Sequence, residues 1–160
     1  RGWDMGGTAK SFYEQGVRMS FEENNAAGVD DYLADHTSTP GAFADNVGSD
    51  NYTFSSKVTP AWDDNAGFEA QLERIITQKW IANYPLGMEA WAEYRRTGYP
   101  ELYPCIDNLS DCGVSSIRGM RRLSFPYTEA QNNTANYNQG VAELGGADNE
   151  ATDLKWAKKN

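Results

Sequence analysis

Carboxylates are the residues of this chain best placed, by number and spacing, to do chemistry. They come in pairs: Glu22-Glu23, Asp30-Asp31, Asp63-Asp64, and Glu89 with Glu93. A glycosidase needs two carboxyl groups flanking a sugar bond, and Glu89 and Glu93, spaced i and i+4, share a helix face. Like charges at that spacing repel mildly unless a cation stands between them. Arg95 and Arg96 follow closely, so a salt-bridged, solvated face is the simpler account. Asp63 and Asp64 precede a helical pattern and are placed to cap it rather than to catalyse. His36, the only histidine, has no Cys or Ser nucleophile signature beside it and reads as a surface loop residue. The loop Asp45-Asn46-Val47-Gly48-Ser49-Asp50 holds oxygen ligands but misses the order of an EF-hand. No catalytic residue, metal ligand or cofactor is assigned.

Cys105 and Cys112 flank six residues in a loop rich in Gly, Ser and Asn. Two thiols with a single distant histidine do not make a four-ligand zinc site by themselves. Two readings stay open: a small-loop disulfide in an oxidising compartment, or two free thiols. A bridge closing so short a loop would stabilise by only ~2–3 kcal/mol, so it would pin the loop rather than hold the fold.

The aromatic residues divide in two. Phe12, Trp80 and Trp91 fall at helical spacing and are expected in the core. Trp3, Tyr52 and Trp62 lie in or beside loops, where an aromatic either lids the core or stacks on the apolar face of a sugar ring. These three are the candidate ligand-binding residues. The Asn-x-Ser/Thr triplets at Asn51, Asn108 and Asn132 matter only in a eukaryotic source.

The elements that must position these groups are mostly helical. Thr8 caps a pattern in which Ala9, Phe12, Tyr13, Gly16, Val17 and Phe21 share one face, predicting a helix over 8–24. Val29, Tyr32 and Leu33 predict a short helix over 29–34. From Asp35 to Asp64 the periodicity disappears, which predicts a long loop with a short extended piece at 52–58. Phe68, Leu72, Ile75, Ile76 and Trp80 then mark the clearest helix, which Pro85 ends. A second helix from about Leu86 carries Met88, Trp91, Ala92 and Arg95 and stops at Thr97-Gly98. There Gly98 suits the left-handed C′ position, and Arg95-Arg96 suit the last turn. Thr128 and Gln131 are spaced as a capping box opening a polar helix over 128–144.

The net charge of −9 argues against a nucleic-acid backbone or an anionic lipid surface. No apolar run reaches the ~20 residues of a membrane helix. The opening Arg1-Gly2-Trp3-Asp4-Met5-Gly6-Gly7 resembles an inter-helix loop, so the chain is expected to begin partway through a longer polypeptide.

The stretch Leu72-Glu73-Arg74-Ile75-Ile76-Thr77-Gln78-Lys79-Trp80, then Glu89-Ala90-Trp91-Ala92-Glu93-Tyr94-Arg95-Arg96-Thr97-Gly98-Tyr99-Pro100, strongly resembles the SusD/RagB family. These are outer-membrane lipoproteins of Bacteroidetes that cap a SusC-like TonB-dependent transporter. Arg121-Arg122-Leu123-Ser124-Phe125-Pro126-Tyr127, with Glu129, Asn132 and Asn136-Tyr137 after it, continues the likeness. The tail Leu154-Lys155-Trp156-Ala157-Lys158 departs from the family's pattern of paired tryptophans.

The resemblance implies a mainly α fold with long irregular loops, part of a tetratricopeptide-type helical scaffold. It implies that residues 1–160 form one domain, the C-terminal portion of a larger protein whose lipid anchor lies outside this chain. It further implies non-catalytic binding of glycans at the outer-membrane surface, facing outward, and delivery to a SusC-like transporter. Trp80, Trp91, Arg95 and Arg96 are then expected to be structural. An oligopeptide-binding member of the same family, a secreted glycoside hydrolase domain and a purely structural helical scaffold are the rival readings.

Overall fold

The computed structural model describes residues 4–48 and 50–154. The chain folds as two compact units: Arg1–Glu93 with Tyr99–Glu101, and Tyr94–Gly98 with Leu102–Asn160. They are called unit 1 and unit 2 below.

Unit 1 is built on three helices: α1 (Ala9–Glu23), α2 (Val29–Leu33) and α3 (Phe68–Ala82). Thr8 accepts from the Ser11 amide while Ser11 accepts from the Thr8 amide, a reciprocal cap that fixes where α1 starts. Tyr13 and Val17 of α1 are buried with Trp62, and Phe21, Val29, Tyr32, Leu33 and Ile75 pack around them. The Tyr13 and Trp62 rings lie 5.3 Å apart, centroid to centroid. Burial of the Tyr13 hydroxyl, which donates to the Pro60 carbonyl, pushes its pKa well up.

The long loop is anchored rather than loose. Its base closes where the Ala61 amide donates to the Asp35 carbonyl at 3.0 Å. Within it, β1 (Ala42–Phe43) pairs antiparallel with β2 (Tyr52–Thr53). The expected extended piece over 52–58 is therefore two residues of strand, and the rest is irregular. The Asp45 carboxylate accepts from the Val47 amide at 2.9 Å and the Asp50 amide at 3.3 Å. Those backbone donors, Val47 first, lower its pKa; the carboxylate organises its own loop.

Two helix caps differ from expectation. α3 is capped by the backbone of Gly67 with no side-chain bond. Asp63 instead accepts from the Asn65 amide at 2.8 Å, and Asp64 accepts from Trp62 Nε1 at 3.0 Å. Both aspartates shape the turn before the helix because that turn holds Trp62 inward.

α4 (Gly87–Thr97) ends at Gly98, whose φ of +79° is the left-handed geometry expected there. In unit 2, the helix expected over 128–144 is two: α5 (Tyr127–Asn132) and α6 (Thr134–Leu144). Thr128 makes no cap, since α5 begins a residue earlier behind Pro126. Asn133 breaks the run with φ −139°. Its side chain donates to Glu129 and accepts from Asn136, local bonds that compete with helical ones.

Among the described residues, every buried aliphatic or aromatic side chain except Pro104 belongs to unit 1. Unit 2 buries arginines instead. Arg121 and Arg122 are 5% and 4% exposed. Arg121 Nε donates to Asp153 Oδ1 at 2.5 Å, and Arg122 Nη1 to Asp148 Oδ1 at 2.5 Å.

Candidate functional site

Tyr52 sits in a polar cluster of unit 1. Glu101 is its hub. Its carboxylate accepts from the Tyr52 hydroxyl at 2.6 Å, from the Ser55 amide and hydroxyl at 2.9 Å, and from the Ser56 amide at 2.7 Å. Partial burial works to raise the Glu101 pKa, but these bonds to the charged form outweigh it and hold the group down at about 2. The half-buried Tyr52 ring also meets Phe54 edge-on, centroids 5.0 Å apart. A tyrosine held at both its hydroxyl and its edge is a fixed aromatic plate at the surface.

The other two candidate ligand residues are placed differently. Trp62 is only 7% exposed and packs on Tyr13, so its ring supports the core and presents no stacking face. Trp3 lies outside the described residues.

The structural four also separate. Trp80 is 40% exposed and not in the core; Phe12 is likewise exposed. The apolar stripes of α1 and α3 run on past the side chains that cover their middle turns. Trp91 is half-buried. Arg95 Nη1 donates to the Arg121 carbonyl at 2.9 Å, and Arg121 Nη2 returns a bond to the Arg95 carbonyl at 2.6 Å. That exchange makes Arg95 a structural clamp of unit 2. Arg96 is exposed on the same helical end.

Glu89 and Glu93 do have a cation between them, and it comes from α3. Lys79 Nζ stands 3.1 Å from Glu89 and 3.5 Å from Glu93. Cys105 and Cys112 are free thiols that line one cavity of about 390 Å³ in unit 2. The Cys112 thiol donates to Glu150 at 3.4 Å. His36 is exposed in its loop. Among the described residues, no group of three or more His, Cys, Asp or Glu side chains is placed to hold a metal.

Several of the best-organised groups escaped the sequence reading: Glu101, Lys79, Asp148 and Asp153. The adjacent Arg121-Arg122 was visible, but a charged pair carries no hydrophobic period to mark it as buried.

A family model described as SusD-like, "Susd and RagB outer membrane lipoprotein", matches residues 1–157. The chain belongs to the SusD-like family. A SusD homologue from Bacteroides uniformis is 52% identical with a TM-score of 0.94, over 99% of this chain and 33% of that one. A chitin-binding SusD homologue from Flavobacterium johnsoniae is 43% identical with a TM-score of 0.93, over 100% and 33% respectively. A SusD-like protein from Bacteroides thetaiotaomicron is 49% identical with a TM-score of 0.91, over 99% and 34%. None of the curated proteins matches. The chain thus spans about a third of the length of these SusD-like relatives. Its helices, with one short two-stranded ladder among the described residues, are the mainly α, tetratricopeptide-type scaffold expected of a SusD-like protein.

Proposed function

We propose that this SusD-like chain is part of a surface glycan-binding lipoprotein that captures a sugar polymer without cleaving it and passes it to a SusC-like TonB-dependent transporter. The observation that carries this reading is the 43% identity to a chitin-binding SusD homologue across the whole chain. The Tyr52 plate is the ligand contact we propose within these residues. Its hydroxyl is committed to Glu101, leaving ring carbon for a sugar's apolar face. Trp62 supports it only indirectly, through the core, and Trp3 stays a proposed contact by its place in the opening loop. Glu89 and Glu93 are both ion-paired to Lys79, which supports reading them as a salt-bridged cluster. The lipid anchor and the outward-facing location belong to the same proposal and lie outside these residues.

Calorimetry on the intact protein with chitin oligosaccharides, other neutral glycans and oligopeptides tests it. Binding to a glycan, with no new reducing ends released over hours, is expected. Binding confined to peptides would move the protein to the rival reading. Release of reducing ends, lost on Glu89→Gln, would end the non-catalytic one. Tyr52→Ala should weaken glycan binding about 2- to 10-fold, the worth of one stacked ring, while Tyr52→Phe keeps most of it.

A further inference from the structure

Among the described residues three arginines are almost wholly buried, and two of them have an obvious counter-ion. Arg121 meets Asp153 and Arg122 meets Asp148. Arg74, on α3, is equally buried at 5% exposure. None of the ion pairs among the described residues includes it. Its Nε donates to the Thr59 carbonyl at 2.9 Å, and its Nη1 is buried with no hydrogen-bond partner. A guanidinium out of water with one neutral acceptor is costly, because a buried charge needs both an opposite charge and its donors satisfied.

What lies beside Arg74 points to the missing group. The side chain lines a recess of about 250 Å³ whose wall also carries Ser38, Thr39 and Thr77; the Thr77 hydroxyl donates to the Glu73 carbonyl at 2.8 Å and the Ser38 hydroxyl to Asp35. Gln78 and Tyr32, also on the wall, are bonded to each other, Nε2 to the phenol oxygen at 2.8 Å. The recess therefore holds one fixed positive charge, whose buried Nη1 has no partner, with the Thr39 hydroxyl beside it. A carboxylate answers each of these. It brings one negative charge and two coplanar oxygens that match a guanidinium edge. A neutral sugar hydroxyl would leave the charge uncompensated.

We propose that the Arg74 recess is a carboxylate-binding site, completed by an acid group that is not among the described residues. The acid has two available sources. One is an Asp or Glu of the longer polypeptide, since relatives run to about three times this length. The other is the acid group of a ligand, such as a uronic acid in a glycan. The inference stands apart from neutral-glycan capture and does not need it.

The test uses the intact protein, and its first arm needs no variant. Thermal melts are followed with galacturonate and with galactose, its neutral twin. A ligand acid predicts a saturable rise in Tm with galacturonate alone, which Arg74→Met weakens ~10-fold or more in apparent affinity. An internal acid predicts no response to either sugar, and a pH-dependent cost for Arg74→Met. A carboxylate paired with arginine has its pKa depressed, so its contribution is present at pH 7 and lost as pH falls through the folded value. The melting difference between wild type and Arg74→Met should then shrink markedly by about pH 3. Tyr32 is the other titratable side chain on this wall, and the Asp35 carboxylate stands next to it, accepting from the Ser38 amide, so the melts are repeated in Asp35→Asn to separate its protonation from that of the partner acid. Should Arg74→Met not fold, a crystal structure of the intact protein decides: an Asp or Glu oxygen within ~4 Å of the guanidinium supports the inference. No galacturonate response together with a pH-independent variant cost, or a recess filled by neutral groups, overturns it.

Discussion

Unit 1 and unit 2 are held together by opposite kinds of burial. In unit 1 the side chains removed from water are chiefly hydrocarbon: Tyr13, Val17, Val58, Trp62 and Ile76. In unit 2 they are chiefly guanidinium groups answered by aspartates, with Arg122 also lying 4.7 Å over the Phe125 ring. Hydrocarbon burial is roughly proportional to area and tolerates rearrangement. A buried ion pair is less forgiving. Both partners have been desolvated, so removing one leaves the other stranded. Unit 2 should therefore be brittle where unit 1 is adaptable.

The largest expected effect tests that brittleness. Asp148 accepts from Arg122 and from the Phe125 amide, and the Tyr137 hydroxyl donates to it at 3.1 Å. Asp148→Ala in the intact protein should cost about 3–5 kcal/mol by denaturant unfolding, since it strands Arg122. The pair Arg122→Met with Asp148→Leu should restore most of that loss, because two apolar groups of similar volume leave no charge unpaired. If the double change costs as much as the single one, the network is doing more than neutralising charge.

Acid sharpens the same contrast. Burial works to raise the Asp148 and Asp153 pKa values, but the arginine bonds win and hold both down. A depressed carboxylate stabilises the fold above its unfolded pKa, and that contribution disappears as pH falls through its folded value. Glu101 in unit 1 obeys the same sign, with its loss falling between the ordinary carboxylate range and about 2. The consequence differs, however. Protonating Glu101 releases Ser55 and Ser56 in a loop, whereas protonating Asp148 and Asp153 strips the counter-ions from the centre of unit 2. Hydrogen exchange near pH 3 should show the amides of Arg121 and Phe125 opening before those of α1. Glu101→Gln should reproduce the loop release at neutral pH, at a cost of about 1.5–3 kcal/mol.

The same division explains what could be read in the sequence. α1, α3 and α4 were legible because capping residues, a 3.6-residue period and a C′ glycine are local signals. The break at Asn133 was not, because only the bonds of its side chain to Glu129 and Asn136 show why the run stops there. Trp80 was misjudged for a different reason. A period shows which face of a helix is apolar, but not whether neighbours cover it. Trp62 was misjudged in the other direction: a loop address conceals burial when the turn of Asp63 and Asp64 folds the ring inward. The partners of the buried arginines were the least legible part of all. Asp148 lies 26 residues beyond Arg122 and Asp153 lies 32 beyond Arg121, and no local pattern joins them.

Unit 1 should tolerate a small change of core volume. Ile76 is among its most buried side chains, and Ile76→Val removes one methylene group without stranding a polar atom. About 0.5–1.5 kcal/mol is expected, read as a shift in denaturant midpoint with an unchanged slope. A loss approaching that of Asp148→Ala would mean that the hydrocarbon core is as rigidly matched as the charged one.

The smallest effect is expected where charge is present but not buried. Lys79 reaches both Glu89 and Glu93, yet the Lys79 and Glu89 side chains keep about half their exposure to water. Water already solvates those ions, so the pair gains little by meeting and salt screens what it gains. Glu89→Gln should change stability by no more than ~0.5 kcal/mol, and less in high salt. The change also relieves the i, i+4 repulsion with Glu93, which further offsets the lost attraction. The number of charges is similar at the Lys79 cluster and at the Arg122 pair, so a near-zero result here beside a several-kcal/mol result at Asp148 would isolate desolvation as the quantity that separates them.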